Sequence, residues 1–191
     1  MLDLDRDGVD TILVTRWTAD DAAASVGEAL AEWGPKADGL LSVTGFAGTD
    51  GTSALLYEQW AGSPTSRREG SVEYTMYRAL TRPDSPEVGC VVVVEAEFDG
   101  ADVRTWVDTV LDALATDEEP AEGGISAHFH TSADGRRALN YAEWTSEEAH
   151  AAALANSGQG TVGLGEKWRR VKEFPGVLNG GFTRFVVVGG V

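Results

Sequence analysis

Residues 138–150 read ALNYAEWTSEEAH and carry an amide, an indole and an imidazole within one short span. Side chains on a strand alternate between faces, so Ala138, Asn140, Ala142 and Trp144 share one face, and Arg137, Leu139, Tyr141 and Glu143 the other. The first set joins two small residues, which leave room, to an amide and an indole that present hydrogen-bonding groups into it. Asn140 carries the most information, because a buried amide must be hydrogen-bonded. His128 and His130 lie on the partner strand, where turn type decides their side. An odd-length loop at Ala133-Asp134-Gly135 sets His130 across from Ala138 and His128 from Asn140, so both imidazoles line the same space. A two-residue turn pairs them with Arg137 and Leu139 instead. His150 falls on a helix, with Leu154 one turn on. It either points inward as an acid or base titrating near neutrality, or sits at the surface.

An earlier stretch, ALLYEQW (residues 54–60), shares Ala-Leu-x-Tyr-x-x-Trp with this one. Subtracting 84 sets Gly123 on Gly39, Ser126 on Ser42, Asp134-Gly135 on Asp50-Gly51, Tyr141 on Tyr57 and Trp144 on Trp60 without a gap. Upstream the offset is 81, with Phe98 on Trp17, Asp102 on Asp21, Val107 on Val26 and Leu111 on Leu30. The chain thus reads as two copies of one unit. Transferred to the first copy, His128 becomes Thr44, His130 becomes Phe46, Asn140 becomes Leu56, and Trp60 stands for Trp144. One copy keeps a polar pocket and the other keeps only the scaffold.

Residues 11–17 and 90–98 are rich in β-branched and apolar types and predict strands. Thr18-x-x-Asp21 and Thr145-x-x-Glu148 resemble capping boxes that open helices, the second running to about Asn156. Val26, Leu30 and Trp33, and likewise Val103, Val107, Val110, Leu111 and Leu114, recur at helical spacing. Asp-Gly turns join strands 40–46 to 53–60 and 125–131 to 136–144, and closing strands fall at 72–78 and 181–188. Each unit is then β-α-β-β-α-β, the ferredoxin-like pattern, with the second helix of the first unit almost absent over 61–70. The expected organisation is an α+β fold with a first unit over 9–80, a linker over 81–89 and a second unit, holding the site, over 90–191. Each unit would bury one sheet face against the other, forming in a monomer the barrel that a homodimer builds from two chains.

The formal charge is −16, from 31 acids against 15 bases, a field that repels phosphate backbones and anionic membranes. A neutral or apolar small molecule remains compatible. No apolar run spans a bilayer, and the acidic opening MLDLDRDGVD lacks a signal-peptide pattern, so a cytoplasmic protein is expected. The single cysteine, Cys90, opens the run CVVVV and reads as a buried strand residue. Gly158-Gln-Gly160-Thr-Val-Gly163 matches a dinucleotide glycine pattern literally but follows a helix, and so reads as a loop. Asp3-x-Asp5-x-Asp7-Gly8 begins like a calcium loop, yet Val14 stands where a glutamate is needed. No metal site is expected.

With ALNYAEWTSEEAH set in a β-α-β-β-α-β unit, the chain resembles the antibiotic biosynthesis monooxygenase family of dimeric α+β barrels. The resemblance covers both halves and implies a small cofactor-independent oxygenase, with molecular oxygen as co-substrate, that turns an anthrone-like aromatic polyketide intermediate into a quinone. Only Asn140 and Trp144 satisfy the Asn-x-x-x-Trp spacing; Trp60 lacks the asparagine. Relatives place a histidine on the preceding strand, where His130 sits, and often a tyrosine on the following helix, where this chain has His150. The resemblance therefore implies Asn140, Trp144, His130 and His150 as catalytic residues, and strand alternation adds His128, Ala138 and Ala142 as residues touching substrate. Some members of the wider superfamily degrade haem with an added asparagine on the first strand, and residues 11–17 and 90–98 contain none. A polyketide cyclase or a ligand-binding module of the same fold is the alternative.

Overall fold

The computed structural model describes residues 3–4, 6–33, 37–83, 86–100, 102–117, 121–158 and 160–191. In chain order the elements are β1 (Thr11–Thr18), α1 (Ala22–Ala31), β2 (Leu40–Gly48), β3 (Ser53–Trp60), β4 (Val72–Thr81), β5 (Cys90–Phe98), α2 (Val103–Ala115), β6 (Gly124–Ser132), β7 (Arg137–Trp144), α3 (Glu147–Ser157), α4 (Glu166–Lys172) and β8 (Val177–Gly190). The fold is α+β: in one part of the chain β3 lies between β1 and β2, with β1 also pairing with β4, and in the other β7 lies between β5 and β6. No helix among the described residues is long and apolar enough to cross a membrane.

Two compact units divide the chain, but not at the expected linker. One comprises residues up to Met76 together with Thr183–Val191, and the other Tyr77–Phe182. The cuts fall inside β4 and β8 because strand pairing outweighs chain proximity. In the first unit the end of β8 pairs with β2, Phe46 opposite Val187 and Gly48 opposite Phe185, and the Phe185 ring meets Phe46 edge-on at 6.5 Å. In the second, Arg82 N donates to Ile125 O (3.0 Å) and Tyr77 Oη donates to Asp108 Oδ2 (3.1 Å). Asp84 and Ser85 of the expected linker lie outside the described residues, as does Asp5 of the calcium-like stretch.

The two hairpins are built alike. In β6–β7, Thr131 faces Ala138 and His130 faces Leu139; in β2–β3, Ala47 faces Ala54 and Phe46 faces Leu55. Each ladder slips once, between Leu40 and Ser42 and between Gly124 and Ser126. An aspartate sets each turn: Asp50 Oδ1 accepts from Thr52 N (2.8 Å) and Ser53 N (2.7 Å), and Asp134 Oδ1 accepts from Arg136 N (3.0 Å). The Ser53 hydroxyl and N–H, with Thr52 N–H, hold the Asp50 carboxyl down at about 2. Ser132 Oγ accepts from Arg137 N (2.9 Å), so four residues, 133–136, cross the β6–β7 turn. This even-length loop reverses the facing that the odd-length reading assigns to the histidines.

Helix starts also differ in detail. Asp21 itself caps α1, accepting from Ala24 N (3.0 Å), and Ser146, not Thr145, caps α3 through Ala149 N (3.2 Å). Thr145 is held back in the hairpin, its N–H donating to Gly123 O at 2.8 Å. Helix α4 escapes the sequence pattern because it is only seven residues long and has no side-chain cap after Gly165. Trp168 and Val171 bury its inner side. Strand β8 starts at Val177 and runs through Asn179-Gly180-Gly181, a triplet that reads as a turn. No helix forms over residues 61–71, as expected, and Cys90 is buried.

Candidate functional site

The site is a cavity of about 460 Å³ lying wholly within Tyr77–Phe182, between the β5–β7–β6 sheet and the helices on its face. Strand β7 supplies Asn140, Ala142 and Trp144, and β6 supplies Ala127 and Phe129. Helix α2 adds Trp106 and Val110, α3 adds His150 and Leu154, and α4 adds Trp168. Most of this lining is apolar, with a few convergent polar groups, the usual make-up of a small-molecule site.

Asn140, Trp144 and His150 come together here. His150 is buried at 3% exposure, which settles its orientation as inward. Its ring stands edge-on between Trp144 (centroids 4.9 Å) and Phe182 (5.0 Å), so an imidazole capable of proton transfer is fixed beside an indole face. Asn140 is half-buried, and its Oδ1 is enclosed with no hydrogen-bond partner among the described residues. An amide in that condition is unusual in a finished core and fits a group kept for a ligand.

His128 and His130 are not brought to this cavity. They pair with Tyr141 and Leu139 and point to the opposite face of the sheet, because the four-residue turn shifts the register by one. His130 is fully buried, its Nδ1 lies 3.2 Å from Leu139 O, and burial pushes its pKa down to about 4. Ala138 faces the helices but packs in the apolar core with Phe129 and Val107 and does not line the cavity. Ala142 lines it as expected. Sequence reasoning missed Trp106, Phe129, Trp168 and Phe182. Trp106 stands one turn before Val110 in a helix whose other apolar positions were recognised, and that spacing could have exposed it.

The matching place in the first unit is filled. Leu56 stands for Asn140 and Glu58 for Ala142, both buried at 1% exposure or less, and Trp33 stands for Leu114 and meets Trp60 edge-on at 6.5 Å. Trp60 Nε1 donates to Glu58 Oε2 (3.1 Å), while Glu58 Oε1 has no partner among the described residues. Burial pushes the Glu58 pKa up, so its contribution to stability is present below the unfolded carboxyl range and is lost as pH rises through the folded value. Glu58→Gln is therefore expected to stabilise the protein at neutral pH by roughly 1–3 kcal/mol, and by less in acid, as read from urea unfolding at several pH values.

Among the described residues no group of three or more His, Cys, Asp or Glu could hold a metal ion. No family model matches the chain, and no curated protein does. Solved structures do match. An anthrone oxidase-like protein aligns over 97% of this chain and 94% of its own, at 16% identity and a TM-score of 0.72. An uncharacterised ferredoxin-fold protein related to antibiotic biosynthesis monooxygenases, from Listeria monocytogenes, covers 97% and 99% at 15% identity and a TM-score of 0.54. The chain shares the ferredoxin fold of these antibiotic biosynthesis monooxygenase-like structures. A haem-degrading enzyme from Listeria monocytogenes also matches, over 90% and 97% at 13% identity and a TM-score of 0.50. One monooxygenase-like fold thus accommodates different chemistries, and at these identities the activity has to be argued from the site.

Proposed function

We propose that the protein is a cofactor-independent monooxygenase that oxidises a phenolic, anthrone-like aromatic polyketide intermediate to a quinone, in the second unit only. The observation that carries this reading is the meeting of Asn140, Trp144 and His150 on a cavity whose lining is mostly apolar. Such a substrate, once it loses a proton from its ring CH₂, is an electron-rich enolate that can reduce O₂ itself. His150 takes that proton, Asn140 hydrogen-bonds the enolate oxygen, and Trp144 forms the wall against which the ring lies. A C–O bond then forms at the carbanionic carbon to give a hydroperoxide, and loss of water leaves the new carbonyl. The balance is CH₂ + O₂ → C=O + H₂O. The same reading takes the two units as copies of one ancestor and the working form as a monomer with one site.

Metal-stripped protein incubated with anthrone and O₂ tests it. Oxygen uptake matched by equimolar anthraquinone, with calorimetry showing one ligand per chain, is the expected result. No acceleration over buffer would defeat the catalytic reading. Tight binding without oxygen uptake would instead favour a non-redox cyclase or a ligand-binding module.

A further inference from the structure

We infer that Phe129 is the specificity-determining residue of the cavity, its ring setting how large a fused-ring ligand can enter; this rests on the proposed ring-binding role of the site. The two hairpins provide an internal control. Asn140 pairs with Phe129 across β6–β7, and Leu56 pairs with Gly45 across β2–β3, so Phe129 and Gly45 occupy the same register position. Helix α1 lies directly on Gly45: a Cβ built there would stand 2.4 Å from Val26 Cγ1 and 3.0 Å from Leu30 Cδ1. No side chain fits.

The matching residues of α2 are Val107 and Leu111, both buried in one cluster with Phe129. Val26 and Leu30, the helix residues that meet Gly45, have the same types as Val107 and Leu111, so at this contact the change, from hydrogen to benzyl, lies on the sheet. Phe129 is fully buried, belongs to the core cluster under α2 and also lines the cavity.

Helix α2 is held in place by other ties. Trp106 meets Phe98 edge-on at 5.5 Å, Arg78 Nη1 donates to Asp108 Oδ1 (2.8 Å), Lys167 Nζ donates to Asp112 Oδ1 (2.9 Å), and Trp168 Nε1 donates to Asp117 Oδ2 (3.0 Å). Shortening residue 129 thus adds volume to the cavity without letting the helix fall onto the sheet. Lengthening it removes volume at the floor, opposite the helices.

Dissociation constants for 1-tetralone, anthrone and a naphthacenone, with two, three and four fused rings, are to be measured by tryptophan quenching for wild type, Phe129→Ala, Phe129→Leu and Phe129→Trp. The preference for four rings over three is expected to rise about tenfold or more in the Ala and Leu variants and to fall in the Trp variant. An unchanged preference in folded variants of both kinds would overturn the inference, as would a wild type that binds none of the three. If Phe129→Ala does not fold, Leu and Trp, which keep an apolar side chain at the position, decide the matter. Binding without oxidation would refute the oxygenase reading while leaving the size preference measurable. Normal oxidation with an unmoved preference would do the reverse.

Discussion

Replacing Asn140 with alanine is expected to slow anthrone oxidation by about 10²–10³-fold while weakening ligand binding far less, because a donor aimed at a developing oxyanion acts mainly in the transition state. The substitution is clean. Asn140 meets Val94 and Phe129 through backbone pairing, which survives removal of the amide. Its Oδ1 has no partner among the described residues, so at that atom no other group is orphaned. A merely structural asparagine would show its loss in the unfolding midpoint, and a mere contact residue in the dissociation constant. Single-turnover kinetics alongside equilibrium binding separates the three. Unchanged kcat would remove Asn140 from the chemistry.

The other large effect concerns acid stability. His130 is neutral in the folded protein because burial holds its pKa near 4, whereas an exposed histidine titrates near 6.5. The unfolded chain therefore binds a proton that the folded one refuses. Stability from this source is complete above about pH 6.5 and drains away as pH falls toward the folded value, on the order of 3 kcal/mol by pH 4 from the shift to about 4. Phe46 fills the matching position in the first unit, which makes His130→Phe the natural control. Urea unfolding from pH 7 to pH 4 should show a steeper loss for wild type than for the variant. Parallel curves would mean that His130 titrates as it does in water.

Much of this architecture could be read from residue types. The two Asp-Gly hairpins, the helices α1 and α2 and the inward face of β7 follow from alternation, helical spacing and offsets of 84 and 81. The side on which His128 and His130 fall could not. That depended on whether Ser132 would close a four-residue turn, and one hydroxyl bond to Arg137 N decides it. Trp168 was hidden for a different reason: it sits in a short helix whose stability comes from burial and from Glu166 pairing with Arg169 and Arg170, not from a long pattern. Cavities are the least legible of all. An empty space is set by the distance between elements, so the small residues of β7 indicated room there while Trp106, Phe129 and Trp168 stayed unrecognised as its walls.

The first unit is discontinuous in the chain. Its β2 strand needs Phe185–Gly190 as a neighbour, and Phe185, at 1% exposure, belongs to its interior. On the ribosome those residues appear only after all of Tyr77–Phe182 has been made. At rates of roughly 5–20 residues per second, the earlier segment waits several seconds with an unpaired β2 edge. The usual order, in which the N-terminal unit folds first, is thereby reversed: the second unit can finish while the first is still incomplete. A nascent chain stalled before Thr183 would present that bare edge to chaperones, and the half that holds the cavity would be the older structure in every newly made molecule.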